Sequence, residues 1–411
     1  MFKYNKFNFC RTLFILFYLS LVISFFFNEN SSGGSRLDFF TTWPLIKEIS
    51  EDFILGIKSI IDSSLIHFPM HYILSAVFFK LLNNVELLRF IFLNISALIP
   101  LYFYKCLKVT FKNTHAIIFL SSIIFISPYF RSSAIWLTTD NTAILFFTIS
   151  IFFFLKIIKE NNDEIINYIF FLLFITLSSL TRQYYIIFLA YFLFILYKKD
   201  KIQKQAKKKI IYLILFISPF AYVLLTKIVT NNVMQTALTK NIFNNIYINL
   251  SIIFFYLSPF IVLYKKNLKE FYNFFIYKKH AYFFLLLILG LFFYKFDYYY
   301  NNVGGGGFYY QLSNFFNAKI IFFISSFLGL SIIYYLTSNN VNNLILILIL
   351  FLIFNYNIVY QKYFDPLLII IYFTLFKHKS ITRILEKNWT NILPVFFYFF
   401  LFWITSLIIR L

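Results

Sequence analysis

Side chains able to move protons or hold anions stand out in this sequence because so little around them is polar. The run GGSRLDFFTTWPLIKEISEDF, from Gly33, carries Arg36, Asp38, Lys47, Glu48, Glu51 and Asp52 in a chain made largely of Phe, Ile, Leu and Tyr. Asp38 follows a Ser-Ser-Gly-Gly-Ser bend and precedes Phe39, Phe40, Trp43 and Pro44. A carboxylate among such aromatics sits near the headgroup level of a bilayer. The lower dielectric there raises its basicity, and it can take a proton from a hydroxyl. The plainer reading is a residue that meets solvent in a loop or caps an interfacial helix.

Two further stretches add charge where apolar helices begin or end. In AIWLTTDNTAILFF, Asp140 stands at the mouth of a helix among Thr138, Thr139, Asn141 and Thr142, with Arg131 a few residues upstream on the same expected outer loop. Asp is a preferred N-cap, which explains its tolerance there but not the arginine nearby. Arg182-Gln183 lies between two apolar runs with almost no loop around it. An arginine at that boundary calls for an anionic partner, and a guanidinium binds phosphate in bidentate fashion; the alternative is snorkelling to a headgroup.

DSSLIHFPMHY, from Asp62 to Tyr72, places His67 and His71 four residues apart with Pro69 between them. Proline disfavours one regular helix across both, so substrate contact or interfacial packing is expected in place of a metal site. NNVGGGGFYYQLSNFF, from Asn301, has four glycines without the context of a nucleotide loop and is expected to be a lid or slack. NYNIVYQKYFDP, from Asn355, is a polar island.

These residues need a scaffold, and composition says which kind. Of the 411 residues, 61% are hydrophobic, 24% aromatic and only 13% charged. No soluble domain of this length hides so much apolar surface, so the excess faces lipid. The apolar runs are long and continuous, which predicts membrane-spanning helices and excludes an outer-membrane barrel of alternating residues. The formal net charge of +21 lies in short loops between these runs, a pattern of membrane orientation and not of a nucleic-acid groove. Cys10 and Cys106 are too far apart to suggest a disulfide framework or a metal site.

The basic segment Tyr197 to Lys209 is expected to be cytoplasmic, and counting back from it puts Arg182, Asp140 and Asp38 together on the outer face. The count closes if one apolar segment between 29 and 105 does not cross. Phe68 to Leu82, short and carrying His71 and Lys80, is the candidate. Helices are expected near 143–158, 165–180, 184–197, 210–228, 250–264, 282–295, 319–336, 342–355, 366–376 and 391–410. Basic loops 265–279 and 377–387 lie inside, and 129–142 is an outer loop. The first apolar run is expected to be an uncleaved helix with its N-terminus in the cytoplasm. No appended soluble domain is expected at either end.

Taken together these stretches resemble the integral-membrane glycosyltransferases of the GT-C type. The nearest likeness is to the dolichyl-phosphate-glucose-dependent α-1,2-glucosyltransferase family. Asp38 and Pro44 match that family's first-loop pattern; Asp62, Pro69 and Tyr72 match the next; Leu88-Arg89-Phe90 with Asn94, Thr139-Asp140 and Arg182-Gln183 follow in order. Gln361, Tyr363 and Phe364 match a late stretch. The chain departs from the pattern at Phe39, Met70 and Tyr184-Tyr185.

The resemblance implies an all-α polytopic bundle of roughly 11–13 transmembrane helices. It also implies a catalytic module over 1–228 with an outer loop at 29–67, and a variable module over 229–411. It implies an inverting transfer of a hexose, glucose in the likeness, from a polyprenyl-phosphate donor to a lipid-linked or envelope glycan acceptor at the outer or lumenal face. Asp38 would be the general base, with Asp140 sharing that role or orienting sugar hydroxyls. Arg182 and Arg131 would meet the leaving phosphate, and Gln183, Asp62 and His67 would contact substrate. No cofactor, metal or nucleic acid is implied. A bacterial plasma membrane is favoured, with the endoplasmic reticulum as alternative. A flippase for lipid-linked sugars would be expected to show charges at helix centres and inverted repeats. A polysaccharide polymerase would rely on outer arginines.

Overall fold

The computed structural model of the chain describes residues 6–62, 67–159, 164–198, 242–276, 305–355, 358–386 and 389–410. Among these, every regular element is a helix. Four helices are long and apolar enough to cross a bilayer: Val85–Thr110, Thr139–Lys159, Asn244–Val262 and Lys319–Thr337. A bent pair, Thr114–Ile126 with Pro128–Ile135, makes a fifth if counted as one broken span. Six shorter apolar helices accompany them. The chain is an all-α, multi-pass membrane protein. The spans expected at 210–228 and 282–295, the basic segment 199–209 and the 228/229 boundary lie outside the described residues.

The chain divides into two compact units, Met1–Gln235 with Phe399–Leu411, and Thr236–Tyr398. The first unit opens with α1 (Lys6–Phe26). Its exposed residues Ile15, Leu16, Leu19, Ile23 and Phe26 recur at helical spacing and form a lipid-facing stripe, while Cys10, Leu21 and Phe25 are buried. Gly33 then takes a positive φ of 78°, which lets the chain turn back sharply.

Across the outer loop expected at 29–67 the structure has two helices, α2 (Ser35–Glu51) and α3 (Phe53–Asp62), and the apolar segment expected after it is α4 (Met70–Leu82). The charges of the opening run explain much of this. Asp52 caps α3 by accepting from the backbone of Ile54 and Leu55, each at 3.0 Å. Glu48 accepts from Ser59 at 2.7 Å, joining α2 to α3. Thirteen residues rise only about 20 Å, so α4 is one of the shorter apolar helices. Asn84 caps the next helix, and α5 (Val85–Ser96) and α6 (Leu98–Thr110) continue as one apolar stretch.

A second correction concerns 129–142. After α7 (Thr114–Ser122) and one 3₁₀ turn, the chain bends by 64° and enters α8 (Pro128–Ile135), which is a buried helix and not an exposed loop. Ser127 caps it and Pro128 opens it, so the residues that look like a span's end are the start of a helix folded back inside. The long α9 (Thr139–Lys159) packs against α10 (Ile165–Ser179), α6 and α8. A 3₁₀ turn, Gln183–Ile186, then leads into α11 (Ile187–Lys198).

In the second unit, helix Ile242–Val262 packs closely on Lys319–Thr337. The expected basic loops here are also helical, Lys265–Ile276 and Lys379–Glu386. The described part of the glycine run is anchored: Gly306 N–H donates to the Val359 carbonyl and Phe308 N–H to Gln361 Oε1, at 2.8 and 2.7 Å. Gly307 has a φ of 77°, and a Cβ there would lie 2.6 Å from Ile252.

Candidate functional site

The site is assembled where α9 begins, α10 ends and α4 begins. Asp140 lies in the first turn of α9, one residue inside Thr139, where unpaired backbone N–H groups favour an anion. Arg182 is fixed by the tight turn after α10: its N–H donates to Ser178 O at 2.8 Å, and its carbonyl accepts from Tyr185 N–H at 3.1 Å. The Ser178 hydroxyl also donates to Ala143 O at 2.8 Å, locking the end of α10 to the start of α9. The result is an ion pair, Arg182 Nη2 to Asp140 Oδ1 at 2.6 Å, with side chains only 7% and 12% exposed.

The same turn holds the start of α4. Met70 N–H donates to the Leu180 carbonyl at 3.1 Å, which brings His67 against the guanidinium. Arg182 Nη1 contacts His67 Nε2, and His67 Nδ1 lies 3.1 Å from the Tyr72 hydroxyl. A guanidinium can only donate, so Nε2 must accept. The His67 proton therefore sits on Nδ1 and is given to the Tyr72 oxygen, leaving the Tyr72 O–H to donate onward. Tyr72 is fully buried, and the charges of Arg182, Asp140 and Asp38 all act on its hydroxyl. Asp38 occupies the first turn of α2, half-buried, and not the bend before it. Its helix is seated by aromatics: Phe39 stacks on Trp43, and Trp43 meets Phe79 of α4 edge-on at 4.8 Å.

His71 supports the site from below. Its Nε2 lies 3.1 Å from the Leu137 carbonyl, which only accepts, so Nε2 carries the proton and Nδ1 accepts from the Thr142 hydroxyl at 2.8 Å. Leu137 has a φ of 50°, a strained conformation for a bulky residue, held by this contact and by Thr138 N–H donating to Ser133 O. The two histidines thus face different partners, on either side of the α4 start. Among the described residues no group of His, Cys, Asp and Glu is arranged to hold a metal ion.

A second polar cluster positions the first loop. Arg131, expected beside a substrate phosphate, is fully buried on α8 and already saturated. Its Nε and Nη2 donate to the Glu29 carboxylate at 2.9–3.1 Å. Its remaining contacts are Ser20 Oγ and O, Ser24 Oγ and Phe125 O. Trp403 lies 4.2 Å beneath its guanidinium and donates to Glu29 Oε1 at 3.1 Å. The phosphate-binding expectation for Arg131 is corrected accordingly: its donors hold the protein's own carboxylate.

Arg89 of α5 does comparable work. It pairs with Glu86, donates to Asn28 Oδ1 and the Ile135 carbonyl, and stacks on Trp136 at 4.2 Å. Trp136 in turn donates to the Glu29 carbonyl at 2.9 Å. Ser31 and Ser32 bond to Ser132. Residues 28–32 are therefore clamped a few residues before Asp38.

Sequence reasoning missed Glu29 and gave Arg89 no role. An arginine at the outer boundary was read as needing an anion; the same demand on Arg131 does not single out Glu29, which lies 102 residues away while Asp140 is nearer in sequence, so only the packing reveals the pair. Of the other expected site residues, Gln183 adjoins Arg182, and its Oε1 is buried without a hydrogen-bond partner among the described residues. Asp62 is exposed at the end of α3 with no such tie to the cluster.

No curated protein and no solved structure matches the chain. The sequence profile of the dolichyl-phosphate-mannose-protein mannosyltransferase family matches residues 66–226, less than half of the chain. The matched stretch contains His67, Tyr72, Asp140 and Arg182, and it supports a membrane glycosyltransferase of the GT-C type.

Proposed function

We propose that this protein transfers a hexose from a polyprenyl-phosphate carrier to a lipid-linked or envelope glycan acceptor at the outer or lumenal membrane face. The observation that carries the reading is the Arg182–Asp140 pair, joined through His67 to Tyr72 within electrostatic reach of Asp38. On this reading Asp38 would serve as base, Arg182 as phosphate-binding cation, and Asp140 and His67 as the groups that orient them. The likeness to a family of dolichyl-phosphate-mannose-dependent transferases supports a lipid-phosphate donor, and because that family's sugar is mannose the reading stays at hexose.

The reaction is a single inverting displacement. Asp38 takes the acceptor hydroxyl proton as the oxygen attacks the anomeric carbon, and the bond from that carbon to the phosphate oxygen breaks on the opposite side. The electron pair leaves with the lipid phosphate, whose growing charge Arg182 stabilises. Asp140 acts as the carboxylate that aims the guanidinium, with His67 fixing its other edge. Gln183 and Asp62 are left as substrate contacts. Because the pair is buried and already oriented, the guanidinium charge is in place before the phosphate charge develops.

The test is transfer by purified protein in lipid, using a panel of polyprenyl-phosphate sugars that includes glucose and mannose. Transfer from one donor, lost in Asp38→Asn with the fold intact, upholds the reading. Movement of the donor lipid between leaflets without transfer from any donor replaces it with a flippase.

A further inference from the structure

The second unit carries a surface that the proposed chemistry does not use. Helices Lys265–Ile276 and Lys379–Glu386 lie more than one hundred residues apart in sequence, yet they are bonded together. Asn267 donates to the Phe260 and Ser380 carbonyls at 3.1 and 3.4 Å, and Arg383 pairs with Glu270. Tyr335 donates to the other Glu270 oxygen at 3.5 Å. Asn340 and Asn343 each donate to the Lys377 carbonyl at 3.1 Å, fixing the connection into the second helix.

This convergence leaves Lys265, Lys266, Lys269, Lys377 and Lys379 exposed. Glu270, the acid on the first helix, pairs with Arg383 and also feels the Lys379 charge, so the lysines outnumber it on this surface. Exposed Val262, Leu263, Leu268 and Tyr272 are interleaved with the lysines at the start of and along the first helix. Its other face, with Asn267, Glu270, Phe271 and Phe274, turns toward the protein.

A helix with apolar and lysine side chains on one exposed face suits the boundary between acyl chains and headgroups. The apolar groups enter the bilayer while the lysine stems reach back to the phosphates. We infer that these paired helices bind the headgroups of anionic phospholipids. Charge complementarity selects this occupant over zwitterionic lipid, and the orientation expected from the basic loops assigns it to the cytoplasmic leaflet. The surface is independent of the transferase reading.

The experiment uses the full-length protein in vesicles containing spin-labelled phosphatidylglycerol or spin-labelled phosphatidylcholine. It reads the share of each lipid immobilised at the protein. The parent chain should favour phosphatidylglycerol by at least about fivefold, the figure for one lysine at a charged surface. The triple variant Lys265→Gln, Lys266→Gln, Lys269→Gln should lose most of that preference. An equal charge loss at exposed Lys105, Lys108 and Lys112 should leave it in place. No preference in the parent chain overturns the inference, and so does an equal loss in both triple variants, which would assign the effect to overall charge.

Discussion

Removing Glu29 should destabilise the first unit because it strands the Arg131 charge. Their side chains are 5% and 0% exposed, and the guanidinium contacts both carboxylate oxygens. Breaking such a buried pair from one side costs about 3–5 kcal/mol, since the surviving ion keeps its desolvation penalty without its partner. In Glu29→Gln the neutral acceptors Ser20, Ser24 and Phe125 remain, which places the expected loss near the lower end, about 3 kcal/mol. At roughly 2 °C per kcal/mol this lowers the unfolding midpoint in detergent by about 6 °C. Arg131→Met should lose a similar amount. The double variant should recover much of the loss, because neither ion is then left alone.

Acid supplies an independent readout of the same pair. Burial alone would raise the Glu29 carboxyl, but the Arg131 charge and the hydrogen bonds from Arg131, Ser24 and Ser31 outweigh it and hold the group lowered. The stability it contributes is whole above the ordinary value of 4.5 and is lost as the pH falls below that toward the lowered folded value. Glu29→Gln should abolish that slope. Single variants that unfold within a degree of the parent, or a double variant that falls by the sum of the two, would refute the reasoning.

Three further outcomes are expected. Arg182→Lys keeps the charge but loses the planar fork, so transfer should drop by about 10²–10³ while the unfolding midpoint barely moves; a fully active variant would remove Arg182 from the phosphate role. Gly329→Ala puts a Cβ 2.0 Å from the Leu250 carbonyl oxygen. Forcing apart helices Ile242–Val262 and Lys319–Thr337 should cost about 1–3 kcal/mol, and an unchanged midpoint would disprove the close approach. Burial pulls the His378 imidazole down to about 4, with Glu270 opposing and Arg383 and Lys379 adding to the effect. The unfolded base takes a proton near 6.5 and the folded one does not. Stability should thus be whole above pH 6.5 and fall as the pH drops toward 4, a slope that His378→Asn should flatten.

The membrane class was legible because composition and run length act on every residue alike. The helices of the first loop were not, because α2 is polar on one side and contains Pro44, so it reads as a connection. It is helical because Phe39, Thr42, Ile46 and Ile49 fall on one face and bury together, a tertiary gain that outweighs the proline. Residues 128–135 misled for the opposite reason. The stretch 129–142 reads as an outer loop between apolar runs, whereas Pro128 at the first helical position begins a helix that packing then buries. Asp140 with Arg182 was legible as two charges at helix ends. Their pairing was not, since it depends on how α9 packs against α10.

Three buried arginines in the first unit show why such a residue is not by itself evidence of a phosphate site. Arg89, Arg131 and Arg182 all sit at the end expected to face outward, where the positive-inside tendency disfavours them, so each needs a reason. Arg131 has its reason within the protein: every nitrogen meets Glu29, a serine or a carbonyl, and Trp403 covers its face. Arg89 is spent in the same way on Glu86, Asn28 and Ile135 against Trp136. Arg182 differs in the chemistry of its neighbours. Its partners are an acid in the first turn of a helix and an imidazole whose other nitrogen leads to a tyrosine hydroxyl, all groups that can exchange a proton or reorient around an arriving anion. The first two arginines fix the segment before Asp38; the third, in the function proposed above, would meet the donor phosphate. Charge-retaining lysine substitutions at Arg89 and Arg131 should therefore act on stability and Arg182→Lys on turnover, which folding and transfer measured on the same preparation will separate.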